Sequence, residues 1–206
     1  MSDEKADELK ALIQKIESGE GKIAQIGSVV VGSGADPYGA ATAVRISIQA
    51  TEIAQRGMEL WRQGHLEAAS TCLVQSLVLE DAIGNLSGIS SDLGNLGAIY
   101  NDMKIAGKAA AAYRKALQID AQLLRELPDR ADRVGQGPDQ VALEHREYKL
   151  MEGLHLEGLA RSQILRNEFA EARDLVSKAL VAYEEAGAER QRAPAQELQT
   201  WLLKRL

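Results

Sequence analysis

Apolar residues along this 206-residue chain recur at spacings of three and four, the period of an amphipathic helix. Leu9, Leu12, Ile13 and Ile16 form one such stripe among Asp, Glu and Lys, which predicts a helix over 3–17, broken by Ser18-Gly19-Glu20-Gly21. From Lys22 to Ala35 the pattern is mixed. Ile23, Ile26 and Val30 fit a helical stripe, Val29-Val30-Val31 favours a strand, and Gly27, Gly32 and Gly34 disfavour both. Asp36-Pro37 is a helix start, an N-cap followed by proline in the first turn, and a long helix follows to about Gln63, where Gly64 ends it. The next two helices run from about His65 to Ile83, stopped by Gly84, and from the capping residue Asn85 to near Met103. Two long helices, roughly 106–127 and 139–166, flank a stretch over 128–138 whose proline, glycine and charge predict an exposed loop, cut early by trypsin after Arg130 or Arg133. Another helix ends at Gly187. Leu198, Trp201, Leu202 and Leu206 then form the apolar face of a last helix.

Small residues carry a second regularity. Gly57 and Ala69, Gly97 and Ala109, and Ala160 and Ala172 are each twelve residues apart, and Gly84 and Gly187 each fall fifteen residues after the alanine of their pair. Leu93-x-x-Leu96-Gly97-x-x-Tyr100, followed by Ala109-x-x-x-Tyr113-x-x-Ala116, resembles one tetratricopeptide repeat, a helix–turn–helix unit with small residues where its helices touch. Ala69, Leu73 and Ser76 mark a unit upstream, and Ala172, Val176 and Ala179 one downstream. The 40 residues from Ala69 to Ala109 are similar to the longer subclass of this family, beyond its common period of about 34. The resemblance implies an all-α fold, an α-solenoid of about three such units at about 50–84, 85–127 and 139–187. The repeat region would span 37–187, with its loop at 128–138, an N-terminal helical or irregular extension over 1–36 and a C-terminal capping helix over 188–206. The chain departs from the family pattern at Arg56 and Leu60 in the first unit and at Ala160 and Gln163 in the third, and no unit has the proline that usually closes the second helix. Within the middle unit Ala109 and Ala116 belong to the helix contact, and Ala111 and Ala112 to less constrained faces.

Composition narrows the function. Apolar residues make up 45% and aromatic residues 4%, so the core is built of Leu, Ile, Val and Ala, which suits close helix packing. A net charge of -6 argues against broad attraction to nucleic acid or anionic lipid. No stretch is apolar for long enough to span a bilayer. The start, MSDEKADELK, lacks the basic head and apolar run of a signal peptide, and the single cysteine, Cys72, forms no internal disulfide. The expectation is a cytoplasmic protein without membrane insertion.

Candidate chemistry is sparse. Glu152 and His155 have the i, i+3 spacing used in di-iron helical bundles, but a site of that kind needs a second such pair and two more carboxylates. Cys72 lies inside a helix with no histidine marked as its partner. Gly32-Ser33-Gly34 and Gly84-Asn85-Leu86-Ser87-Gly88 lack the lysine and Ser/Thr of a phosphate loop and read as turns. The remaining candidate is a peptide groove on the concave face of stacked units. With Leu93, Leu96, Gly97 and Tyr100 toward the core, the other side of their helix presents Ser91, Asn95, Ala98, Asn101 and Asp102. In the long-repeat subclass an asparagine just before the Leu-Gly pair often contacts ligand backbone; Asn95 matches that position and Gln55 matches it loosely in the first unit. Arg161 would face the groove from the third. Ala54 and Met58 stand where the family's two-carboxylate clamp has lysine and asparagine. The apolar stripe within 1–35 has two uses: capping the stack, or lying in the groove of its own or a neighbouring chain. The expected function is a non-catalytic protein–protein interaction module (adaptor, scaffold or assembly chaperone) holding a peptide or helix of a partner, with Asn95, Asn101, Gln55 and Arg161 as peptide-binding residues and no cofactor or metal. The alternatives are a helical-bundle enzyme or metalloprotein using Glu152 and His155, and a peptide-sensing regulatory module.

Overall fold

The computed structural model describes residues 37–205. The helix expected over 3–17, the mixed segment 22–35, the capping role of Asp36 and the self-association segment 1–35 lie outside the described residues. Within them the chain is all-α, with seven helices and no strand: α1 (Pro37–Arg62), α2 (Leu66–Ala82), α3 (Leu86–Asp102), α4 (Ala106–Val134), α5 (Pro138–Leu165), α6 (Phe169–Ala186) and α7 (Glu189–Leu203). None of these is long and apolar enough to cross a membrane.

One turn closes six of the helices. After each of α1 to α6 a single residue takes positive φ: Gly64, Gly84, Lys104, Gly135, Asn167 and Gly187. The next residue's N–H then bonds a carbonyl five residues back, as in His65 to Leu60, Asn85 to Glu80, Ile105 to Tyr100, Glu168 to Gln163 and Ala188 to Tyr183. This is the left-handed C-terminal motif that satisfies the last carbonyls of a helix. Glycine takes that conformation at no steric cost. Lys104 and Asn167 hold it without glycine, which is why sequence punctuation marks the stops at Gly64, Gly84 and Gly187 more plainly than those at 104 and 167.

Each helix packs on the next in the chain, and α3 also packs on α5 and, more lightly, on α1. One group of buried side chains joins Ala69 and Leu73 of α2, Leu93, Leu96 and Ile99 of α3, and Ile119, Leu123 and Leu127 of α4. A second joins Ala109 and Tyr113 of α4, Leu159 and Ala160 of α5, Ala172, Val176 and Tyr183 of α6, and Leu202 of α7. Both halves rest on α4. That helix is covered on more than one side, so Ala112, expected on a tolerant face, is buried and Ala111 is half-buried. The small residues act as notches. A Cβ at Gly97 would lie 2.7 Å from the Tyr113 ring, one at Gly153 would lie 2.5 Å from the Tyr183 ring, and one at Gly158 would run into Tyr113 from the other side. Gly57 likewise lies against the Ala69 carbonyl and Cys72.

The expected loop over 128–138 is a correction. Residues 128–134 continue α4, with Pro128 inside the helix, and only Gly135–Gly137 form the connection. A proline in a helix interior costs about 3 kcal/mol. Here Leu127 and Ala131 are buried on the stripe that runs the length of the helix, and full burial of a leucine contributes about 1.5–3 kcal/mol. Arg130 adds a bond to Tyr148 Oη at 3.0 Å and an ion pair with Glu144 of α5, and Glu144 also holds Gln136. Packing on α5 therefore outweighs the local signal, and Arg130 is not the loose tryptic site its surroundings suggest.

Candidate functional site

Helices α1, α2 and α3 enclose a cleft of about 440 Å³. The size lies within the roughly 300–1,000 Å³ of small-ligand sites. From α1 come Gln55, Met58 and Arg62; from α2, Ser76 and Glu80; from α3, Ser91, Asp92 and Asn95. Three of these positions follow from helix geometry. Ser91 and Asn95 are four apart and share a face, and Asp92 lies between that face and the core. Gln55 is exposed and Asn95 half-buried, so both amides stand at the cleft's upper wall.

The floor is acidic. Asp92 is 4% exposed and Glu80 5%. Glu80 is held by Asn85, whose Nδ2 donates to Glu80 Oε2 at 2.7 Å while its Oδ1 accepts from the Gly88 N–H at 3.3 Å. Asn85 thus caps α3 and fixes the carboxylate below it. Gly88 leaves room for this, since a Cβ there would meet the Glu80 carboxyl at 2.5 Å. Burial also pushes the Glu80 carboxyl above its ordinary pKa, against the opposing pull of the Asn85 amide. Burial pushes Asp92 further, up to about 7; the Ser76 hydroxyl opposes that shift and the Glu80 carboxylate adds to it. Among the described residues no group bonds Asp92 Oδ2. A buried carboxylate oxygen without a donor is costly, and native proteins retain few.

Of the four residues expected to bind peptide, the fold brings Gln55 and Asn95 together in this cleft. The other two lie elsewhere. Asn101 is buried between α3 and α5, donating to the Gly158 carbonyl at 3.0 Å and accepting from Ser162 Oγ at 2.9 Å, so it ties two helices and faces no groove. Arg161 is exposed on α5, paired to Glu157 at 2.7 Å, and does not line the cleft. Asp92 and Glu80 were not singled out from sequence. The signal was present: Asp92 falls three residues after Ile89 and four before Leu96, on the apolar stripe, and Glu80 falls three after Leu77 on its own stripe.

The other candidates separate in space. His155 is buried, with Nδ1 at 2.6 Å from Asp120 Oδ2, and Asp120 Oδ1 accepts from Ser90 Oγ. The chain thus joins α3, α4 and α5 through three buried polar side chains, and Gly94 is the notch that receives the far side of the imidazole. The order is Ser–Asp–His, with no hydroxyl on His155 Nε2 among the described residues, so the arrangement braces the core and lacks the Ser–His contact of an acyl-transfer site. Glu152 points elsewhere, pairing with Lys149 at 2.9 Å. No three His, Cys, Asp or Glu side chains converge as metal ligands among the described residues. Cys72 is half-buried beside Gly57. Gly84–Gly88 forms the turn and cap described above. Against protein-family models, curated proteins and solved structures the chain gives no match.

Proposed function

We propose that the protein is a non-catalytic interaction module, an α-solenoid of about three tetratricopeptide-like units that holds a peptide or helix of a partner protein. The observation that carries this is the convergence of Gln55 and Asn95, forty positions of chain apart, in one cleft whose helices come from two successive units. Amides offer both a donor and an acceptor, the pair that an extended backbone requires. The order of helix contacts supports the solenoid reading: α1 with α2, α3 with α4 and α5 with α6 pair as hairpins, while α1, α3 and α5 touch in succession and α7 covers the end. The three small-residue pairs at a common spacing fall one to each hairpin.

Affinity capture with the tagged full chain, read by quantitative mass spectrometry, tests the proposal. Proteins retained by the wild type and by Cys72→Ser should be lost from the Gln55→Ala/Asn95→Ala double variant. Surface changes of this kind alter stability by about 0.5 kcal/mol or less, so the melting temperature should stay within about 2 °C of wild type. A double variant that melts normally and retains the same proteins would overturn the cleft as the binding site.

A further inference from the structure

The cleft's two walls and its floor differ in chemistry, and the floor points to a narrower ligand class. Its upper wall is neutral and polar, but its base is a pair of buried acids brought from two helices, Glu80 of α2 and Asp92 of α3. Glu80 is satisfied in part by Asn85. Asp92 Oδ2 has no donor among the described residues, though Asp92 is 4% exposed. The one cation on the cleft, Arg62, is turned to its own helix, where it pairs with Glu59, and its side chain is 68% exposed. Met58 supplies apolar surface to the same cleft. A long apolar stem ending in a positive charge matches that sequence of surfaces: amides at the rim for backbone, thioether for methylenes, carboxylates at the base for the head group.

We propose that this cleft seats a lysine or arginine side chain of the bound peptide, with its cationic head group against Asp92 and Glu80. The inference rests on the peptide-groove reading and specifies it. It also reverses the polarity of the family's two-carboxylate clamp, for which this chain has Ala54 and Met58 in place of the basic and amide residues. Proton uptake by Asp92 competes with the cation. The titratable groups that share the cleft are Glu80 from α2 and Arg62 from α1, and of these the acid is also raised by burial. Capture should therefore weaken as pH falls from 8 to 6.

The test is selection of a random twelve-residue peptide library, displayed on phage, against the immobilised full-length chain, followed by synthesis of the enriched peptides. Enrichment of one basic position is expected, with a loss of tenfold or more when that residue is replaced by norleucine, which keeps the stem and removes the charge. Asp92→Asn and Glu80→Gln, both close in shape to the wild type, should each weaken the basic peptide by tenfold or more, with melts and helical circular dichroism showing that both variants fold. Peptides that bind through Gln55 and Asn95 but show no basic position, or that are indifferent to Asp92→Asn and to Glu80→Gln, would overturn the inference and leave the peptide-groove reading standing. No enriched peptide, or enriched peptides indifferent to the Gln55→Ala/Asn95→Ala variant as well, would overturn both.

Discussion

Asp92 is held in a place that suits its protonated form better than its charged one. Its carboxyl is raised by burial from 3.8 to about 7, so the folded protein binds this proton more tightly than the unfolded chain does. The linked stability is fully present below the unfolded value and is lost as pH rises through about 7. Urea unfolding should accordingly show Asp92→Asn more stable than wild type at pH 8, with the difference shrinking toward pH 5; an equal difference at both pH values would contradict the assignment. The Ser90–Asp120–His155 chain makes the opposite prediction for a buried acid. Removing Asp120 strands an imidazole and a hydroxyl inside the core, so Asp120→Ala should cost about 3–5 kcal/mol, measured by the same unfolding curves. Sequence reading treats His155 as a residue to be weighed against metal chemistry, because spacing along one helix cannot show that Asp120 lies across from it. It likewise places Asn101 on the groove face. Asn101 lies six residues after Asn95, and at about 100° of helical rotation per residue it ends about 120° round the helix from the groove amide, toward α5.

At the scale of helices, the stripes at three and four and the glycine stops predict both ends of α1, α2, α3, α5 and α7 and the C-terminal end of α6 to within a few residues. The exception is the C-terminal part of α4, where local composition and packing disagree. Pro128 is tolerated there without being favoured, so Pro128→Ala should stabilise the protein, by up to about 3 kcal/mol. Lys104 is a second position where the local backbone is unfavourable, with φ at 62°. A non-glycine residue in the left-handed region costs about 1–2 kcal/mol, and Lys104→Gly should recover part of that as a rise in melting temperature. The same reasoning extends to proteolysis. Trypsin should spare the bond after Arg130 until the helix opens, because that residue is inside α4 and bonded to both Glu144 and Tyr148. An early cut there would mean that α4 ends before Pro128.

Across the whole molecule, contacts are arranged by order in the chain, and the long reach between α3 and α5 is bridged by Asn101 and by the path from Ser90 through Asp120 to His155. Such a layout has a consequence for how the protein is made. Because each helix finds its partner among residues just synthesised, the hairpin of α1 and α2 can close while later helices are still inside the ribosome, and low sequence separation of contacts makes closure fast. Two polar groups set a limit on that progress. Asp120 and Ser90 emerge with α4 and α3, but the imidazole that completes their chain arrives only with α5, so the middle of the nascent protein stays incomplete until about residue 155 has left the exit tunnel. A force-sensing arrest assay over nascent chains of increasing length should register one step when α2 clears the tunnel and a second, larger one when α5 does, and His155→Ala should blunt the second step while leaving the first in place.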